Sequence, residues 1–299
     1  MPFPTLDKIA IREPRIKVPG ALSSVCTTDK YDRLYHTYGA GTVDVAKAIR
    51  GEFRNPPDVV AYPQSEQDIV DLFDWCGTNS LAAVPYGGGT SVTGGVNPPD
   101  HDRYRGTVSI DMKHFDKVLE IDATSQSARI QAGVLGPHLE KQLKPSGLTM
   151  RFFLQAWEFS SLGGWIATRA AGHFATAYTQ IDDHVQSLKV VTPSGNVESK
   201  RFPVSGSGPN PDRLFLGSEG ALGIITEAWI RLHKRPTHRA MTAVKFTDYD
   251  KAVEAVQEYL SSRGIVNDKV FCVSLDLDDL ENVKTFRSRL EASPALANS

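Results

Sequence analysis

The residues with the clearest chemical meaning form a glycine-rich stretch that directly follows an apolar, strand-like run, AAVP at 82–85. Three consecutive glycines, Gly87 to Gly89, let the backbone take positive φ and approach a ligand without Cβ clashes. Successive backbone N–H groups in such a loop can form a nest for a pyrophosphate, to which Thr90 and Ser91 would add hydroxyl donors. The spacing matches neither the P-loop nor G-x-G-x-x-G, which argues against a nucleoside triphosphatase and a Rossmann-type site. Taken alone, the loop is also compatible with a flexible turn.

A second stretch, EFSSLGGWIATRAAG at 158–172, combines glycines with hydroxyl side chains and a single cation. Ser160 or Ser161 could cap a helix over 161–172, and the paired glycines would let a flat or anionic group lie against its first turn. Arg169 could pair with a phosphate or form a structural salt bridge, and the sequence leaves both open. Trp165 is expected in the core rather than stacked on a ligand.

A third stretch, GSEGALGIIT at 217–226, places three glycines just before a β-branched strand. Glycines at a strand edge mark close approach of the backbone to another group. Turn chemistry alone does not readily explain three such loops in one chain. Together they predict one long, phosphate-bearing ligand that is contacted at several points.

Other chemistries find little support. The histidines from His101 to His238 show neither H-E-x-x-H nor zinc-ligand spacing, so no metal site is expected. No G-x-S-x-G elbow occurs, and Ser218 has no base partner placed beside it. Three separated cysteines, Cys26, Cys76 and Cys272, fit no disulfide framework, which favours a reducing compartment. We therefore expect cofactor binding without a self-contained protein nucleophile, and the catalytic residues stay unknown.

The composition describes a globular chain that is nearly neutral. Its 299 residues are 40% hydrophobic, enough to bury a core, and 33 basic against 35 acidic residues give a net charge of −2. This balance gives no electrostatic reason for binding nucleic acid or an anionic membrane. No apolar run approaches the length of a membrane span.

The first loop is predicted to follow a β-α-β unit. A strand at 58–62 leads into a helix that begins with a capping box, Ser65 with Asp68, and ends near Gly77. The strand at 82–85 completes the unit, and the connection favours parallel strands.

The other loops are predicted to lie among antiparallel strands. Hairpins are expected at 118–133 and 185–199, a strand at 107–112, a helix at 135–147, and a short helix, turn and long strand at 214–233. A further strand at 242–246, a helix capped by Asp248 and a strand at 270–276 would follow.

Four motifs together resemble the flavoproteins of vanillyl-alcohol oxidase and p-cresol methylhydroxylase (PCMH) type, and within them the alkyldihydroxyacetonephosphate (alkylglycerone-phosphate) synthases. They are PYGGGTSVTGG (85–95), EFSSLGGWIATRAAG (158–172), VVTPSGNVES (190–199) and GSEGALGIITEA (217–228). The resemblance implies an α+β fold: an N-terminal arm at 1–53, a PCMH-type FAD-binding domain of two α/β subdomains at 54–236, and the start of a truncated or divergent α/β cap domain at 237–299.

The resemblance also implies which residues contact FAD. They are Pro85, Tyr86, Gly87, Gly88, Gly89, Thr90, Ser91, Gln155, Ala156, Trp157, Glu158, Phe159, Ser160, Ser161, Thr168, Arg169, Ala170, Ala171, Glu219, Gly220, Ala221, Leu222, Gly223, Ile224 and Ile225. Some members tether FAD through a His in the first loop. This loop has Tyr86 and no His, so non-covalent FAD is expected.

The implied activity is exchange of the acyl group of acyl-dihydroxyacetone phosphate for a fatty alcohol, in ether-lipid synthesis. Two alternatives remain: a FAD-dependent dehydrogenase of D-2-hydroxy acids, and a catalytically silent FAD-binding fragment. The family's substrate-binding cap has no counterpart after about Gly264. The expected partner is a small-molecule substrate, with a homodimer allowed. Cytoplasm is the default location, because the peroxisomal signals of eukaryotic relatives are not found.

Overall fold

A computed structural model describes residues 4–99, 103–172, 175, 180–202, 206, 208–237, 246 and 248–262. The chain divides into two compact units. The first comprises Met1–Gly172 and Gln180–Arg235, and the second comprises His173–Thr179 and Pro236–Ser299.

The N-terminal arm contains short elements. Two 3-10 turns, at Leu6–Lys8 and Gly20–Leu22, precede strand β1 (Cys26–Thr27), and helices α1 (Lys30–Tyr35) and α2 (Thr42–Ile49) follow it. Helix α1 begins at Asp29, whose carboxylate accepts from the N–H groups of the first turn, as an N-cap residue does.

The first sheet has the order β1-β2-β4-β3, with β2 at Val59–Ala61, β3 at Leu81–Tyr86 and β4 at Gly106–Asp111. The predicted β-α-β unit is confirmed, but β2 and β3 do not pair with each other, because each runs parallel to β4 between them.

Helix α3 (Glu66–Asn79) connects β2 and β3. The predicted capping box of Ser65 and Asp68 is present. The helix does not stop at Gly77 as predicted: it runs two residues further, to Asn79, and its C-cap is Ser80, which has a φ of 55°. A glycine inside a helix costs only about 1 kcal/mol, and the buried side of this helix offsets that cost.

The second sheet is antiparallel, in the order β5-β6-β10-β8-β9. Its strands are Val118–Asp122, Ser127–Gln131, Ile224–Arg231, Val185–Thr192 and Gly195–Glu198, in that spatial order. Both predicted hairpins are confirmed as β5–β6 and β8–β9. A two-residue pair, β7 (Leu148–Thr149) with β11 (His233–Lys234), lies apart from both sheets.

The helices between β6 and β10 in the described sequence are short: α4 (Gly136–Leu143), α5 (Leu162–Ala167), α6 (Ile181–His184) and α7 (Asp212–Phe215). One apolar core lies under each sheet. Ile69, Leu72 and Ile110 are central to the first, and Ile130, Trp165 and Ile166 to the second.

A buried carboxylate ties the arm to the first sheet. Asp58 is completely buried and pairs with the guanidinium groups of Arg12 and Arg15, and it also accepts from the N–H of Thr107 at 2.8 Å. Arg33, itself 3% exposed, donates from Nε to the carbonyl of Pro57 at 2.8 Å. The carboxylate of Asp58 is therefore the point on which the guanidinium groups of Arg12 and Arg15 converge.

The two cysteines in the described residues are free thiols packed in the first core. Desolvation by burial raises the pKa of Cys26 to about 11, and desolvation together with the neighbouring Cys26 raises that of Cys76 to about 12.

In a Cys272→Ser background we therefore expect iodoacetamide at pH 8 to modify Cys26 roughly a hundredfold more slowly than an ordinary thiol with a pKa of about 8.5, because only the thiolate reacts. Mass spectrometry of quenched samples measures the rate. Labelling of Cys26 at the rate of free cysteine would contradict its desolvated position.

In the second unit, the predicted helix is confirmed as α8 (Tyr249–Ser262), and Asp248 caps it by accepting from the N–H groups of Asp250 and Lys251. The strand predicted at 270–276 lies outside the described residues, as does that at 242–246 apart from Phe246. No helix in the described part of the chain is long and apolar enough to cross a membrane.

Candidate functional site

A cleft of about 680 Å³, including its open mouth, lies within the first unit where the two sheets approach each other. Its wall comes from strand ends and from all three glycine-rich stretches. The lining residues are Pro85, Tyr86, Gly87, Ser91, Gly95, Val96, Met112, Ala132, Ser161, Gly163, Gly164, Ala167, Thr168, Ser218, Glu219, Gly220, Gly223, Ile224 and Ile225.

The first loop leaves the end of β3 and packs against the second stretch. A Cβ on Gly88 would overlap the carbonyl oxygen of Phe159 and would lie 2.8 Å from the Cα of Ser160. Gly87 lines the cleft, although a Cβ there would overlap the Ser161 hydroxyl, and Gly88 and Gly89 lie outside the lining. Glycine at position 88 is therefore required by contact between two backbone segments.

The second stretch forms α5, which is shorter than the helix predicted over 161–172. Ser161 caps it by accepting from the N–H of Gly164 at 3.3 Å. The helix ends at Thr168 because Arg169 has a φ of 51°, and the N–H groups of Arg169 and Ala170 close it on the carbonyls of Ile166 and Trp165. This is the bonding pattern of a Schellman motif.

Trp165 lies in the core, as expected. It is 2% exposed, and its Nε1 donates to the Ser160 hydroxyl at 2.7 Å.

Arg169 forms a structural ion pair, one of the two roles left open by the sequence. Its guanidinium pairs with Asp182, a carboxylate 7% exposed that also pairs with Arg213 at 2.7 Å. The guanidinium thus holds the residue after α5 against α6.

The third stretch brings a carboxylate to the wall of the cleft. Glu219 has a φ of 49°, and its Oε2 lies 3.3 Å from the Thr93 hydroxyl, which donates to it. The N–H of Glu219 donates to the carbonyl of Ala167 at 2.8 Å, which joins this loop to the end of α5.

The described lining contains one ionisable acid, Glu219, and no lysine or arginine. A bound anion would therefore be held by backbone N–H groups and hydroxyls, such as those of Ser91, Ser161 and Thr168.

The cleft brings together many, but not all, of the predicted contact residues. Those that line it are Pro85, Tyr86, Gly87, Ser91, Ser161, Thr168, Glu219, Gly220, Gly223, Ile224 and Ile225. Those that the structure places outside the lining are Gly88, Gly89, Thr90, Gln155, Ala156, Trp157, Glu158, Phe159, Ser160, Arg169, Ala170, Ala171, Ala221 and Leu222.

Sequence reasoning missed four apolar lining residues other than glycine: Val96, Met112, Ala132 and Ala167. Two of them directly follow strands, Met112 after β4 and Ala132 after β6. A position just beyond the carboxyl end of a strand is the signal that could have identified these two.

Sequence reasoning also overlooked His36 altogether. Its side chain is 1% exposed and lies against the ring of Tyr86, with the two ring centroids 4.2 Å apart. An isolated histidine in a polar, Tyr-rich arm carries no pattern that marks it.

Comparison with known proteins gives matches to flavoproteins. Residues 57–199 match a family described as "FAD binding domain". The chain is 38% identical over 237 residues to the alkyldihydroxyacetonephosphate synthase of Dictyostelium discoideum, covering 79% of this chain and 38% of the relative. It is 35% identical over 238 residues to the mitochondrial D-lactate dehydrogenase [cytochrome] of Arabidopsis thaliana, covering 79% of this chain and 40% of the relative.

A solved alkyldihydroxyacetonephosphate synthase structure superposes with a TM-score of 0.78 at 34% identity, covering 89% of this chain and 50% of the other. The chain thus spans half or less of the length of these proteins.

Proposed function

We propose that this chain, which carries an FAD-binding domain of the PCMH type, supplies the flavin site of an alkyldihydroxyacetonephosphate synthase. The substrates would be acyl-dihydroxyacetone phosphate and a fatty alcohol. The observation that carries the proposal is the 38% identity to the Dictyostelium discoideum synthase over 79% of the chain. In this proposal residues 54–236 form the FAD domain and 237–299 begin a cap.

The lining of the cleft fits FAD in its chemistry. Glycines at several lining positions leave its wall open to a long ligand, and the loop from Pro85 to Ser91 offers backbone donors for a pyrophosphate. Bound FAD supplies a flavin ring that can take up electrons from a substrate. In this assignment the lining residues contact the cofactor directly. The predicted contact residues outside the lining either pack behind the lining residues or lie at the edge of the cleft.

The chain's own residues would orient the cofactor and exclude water. The hydroxyls of Ser161 and Thr168, the residues that flank α5, belong to the lining, and Met112, Ile224 and Ile225 give it apolar surface. Apolar contact removes water from a bound ring and strengthens the hydrogen bonds around it. We assign no catalytic residue within the described chain.

A D-2-hydroxy-acid dehydrogenase is the second candidate, favoured by the 35% identity to the Arabidopsis thaliana D-lactate dehydrogenase. The two are separated by assaying the FAD-loaded chain with acyl-dihydroxyacetone phosphate plus a fatty alcohol, and separately with D-lactate plus an artificial electron acceptor. Formation of the alkyl product supports the synthase, and pyruvate supports the dehydrogenase. A yellow protein that turns over neither substrate would identify a catalytically silent flavin-binding chain.

The absence of basic side chains from the described lining predicts how salt affects FAD binding. We expect the Kd for FAD to change less than about threefold between about 0.05 and 0.5 M NaCl, because contacts from neutral donors in a partly enclosed site are screened little. Titration of apoprotein, followed by flavin fluorescence, measures this. A tenfold or larger weakening would contradict it and point to a cationic contact.

A further inference from the structure

The arm segment from Tyr35 to Asp44 lies outside the region that matches the FAD binding domain, yet it contacts the loop that follows β3. The N–H of Ala40 donates to the carbonyl of Ser91 at 2.7 Å. The hydroxyl of Tyr86 lies 3.4 Å from the carbonyl of Tyr35, to which it donates. Both Tyr86 and Ser91 line the cleft, so the arm supports the wall from its outer side.

Gly39 shows how close the two backbones come. A Cβ at this position would overlap the carbonyl oxygen of Ser91. The N–H of Gly39 donates to Oδ1 of Asn97 at 2.9 Å, and Nδ2 of Asn97 donates to Oδ2 of Asp44 at 3.0 Å. Asp44 is 8% exposed, and both hydrogen bonds are partly buried. Together they clamp the far end of the loop to helix α2.

His36 supports the near end of the same loop. Its Nε2 lies 3.0 Å from Oδ2 of Asp111, and its Nδ1 lies 2.7 Å from the carbonyl of Asp32. Asp111 pairs with Tyr86 across β4 and β3 and directly precedes Met112, another lining residue. The imidazole therefore joins α1 to two strand ends that open into the cleft.

We propose that residues 35–44 are a working part of the flavin site, in which Gly39, Asp44 and His36 act as positioning residues that hold the loop at 86–97 in its ligand-binding shape. This rests on the assignment of the cleft to FAD under the proposed function. A loop held in the bound shape before the ligand arrives loses less conformational entropy on binding. If the clamp is released, only the fraction of loops still in the right shape binds FAD, and the apparent Kd rises by the inverse of that fraction.

The first test is a matched pair of glycine substitutions within the arm. Gly39→Ala pushes the arm away from Ser91, whereas a Cβ on Gly20 meets nothing within 4 Å. We expect Gly39→Ala to raise the Kd for FAD about tenfold. That is the rise expected if only about one loop in ten keeps the shape that binds FAD. Gly20→Ala should leave the Kd unchanged. The apoprotein melting temperatures of the two variants should agree, which separates loop positioning from general destabilisation.

The second test exchanges the members of the Asn97–Asp44 pair. Asn97→Asp keeps the acceptor for the Gly39 N–H but places the new carboxylate against that of Asp44. Because the two like charges repel, the Kd for FAD should rise about tenfold. Adding Asp44→Asn restores one donor and one acceptor, and should return the Kd to within about threefold of the parent. This rescue does not depend on whether Gly39→Ala folds.

Three results would overturn the proposal. The first is an unchanged Kd for FAD in both Gly39→Ala and Asn97→Asp. The second is a loss of affinity in Asn97→Asp that adding Asp44→Asn does not restore, and the third is a loss of affinity matched by an equal fall in apoprotein stability. Failure of the parent chain itself to bind FAD is a separate outcome, visible before any variant is compared. It would remove the flavin site and this inference with it.

Discussion

Asp58→Asn is expected to lower the free energy of unfolding by about 3 kcal/mol, because removing one partner of a buried ion pair leaves the other charges uncompensated. Asp58 is completely buried, and the guanidinium groups of Arg12 and Arg15 converge on it while that of Arg33 lies close by. An amide keeps one acceptor but supplies no negative charge. Urea denaturation of parent and variant, analysed at equal m-values, measures the difference.

Because of the same carboxylate, we expect the free energy of unfolding to fall at acid pH. Desolvation raises the pKa of Asp58, but hydrogen bonds from Arg15, Arg12 and Thr107 outweigh it and leave the pKa at about 2, below the ordinary 3.8. A depressed folded-state pKa contributes stability that is complete above the unfolded pKa and is lost as the pH falls from about 4 to 2. The Asp58→Asn variant should lack this part of the acid dependence.

Asp122→Asn is the matched control, since it also removes the carboxylate of an aspartate paired with an arginine. Asp122 accepts from Arg201 at 2.8 Å, but its side chain is 28% exposed, so water can replace the lost partner. We expect a much smaller loss of stability than at Asp58. Equal losses in the two variants would contradict the role assigned to burial.

Gly88→Val is expected to lower the affinity for FAD by roughly a hundredfold while the fold is retained, because strain of about 1–3 kcal/mol from the added side chain is relieved by moving the loop out of its ligand-binding shape. The new side chain would overlap the backbone of Phe159, so either the glycine-rich loop or the turn before Ser160 must move. Both segments adjoin the cleft. The measurement is flavin absorbance per protein after purification, followed by titration of apoprotein with FAD.

Gly77→Val serves as the control for this substitution. Gly77 lies inside α3, and a Cβ there meets nothing within 4 Å. Valine is a slightly better helix former than glycine, so flavin content and stability should both be preserved. Parent-level flavin occupancy in Gly88→Val would show that the loop accommodates a side chain at this position and would contradict the packing described.

Local patterns predicted many elements correctly because their interactions lie close in sequence. The capping box of Ser65 and Asp68 joins residues three apart, and the hairpin turn at 193–194 joins adjacent strands. The end of α5 was not predictable in this way. Arg169 takes a conformation that usually favours glycine, and its pairing with Asp182, which lies in another helix, accompanies that conformation.

The glycine-rich loops were recognised from sequence, but the reason for Gly88 was not. The sequence suggested that its small size admits a ligand, whereas the structure shows that it admits the backbone near Phe159. No pattern within the loop encodes that neighbour, since the two segments meet only after the sheets have formed.

By itself, the sequence determined the alternation of helices and strands, the glycine-rich loops and the resemblance to FAD-binding proteins, because these depend on neighbouring residues or on motifs of fixed spacing. Only the tertiary structure decided that β4 lies between β2 and β3, that Asp58 pairs with Arg12 and Arg15 of the arm, and that Gly39 and His36 contact residues of the loop beside the cleft. These contacts join residues far apart in the chain. Each depends on burial and on the meeting of several backbone segments, neither of which a local pattern specifies.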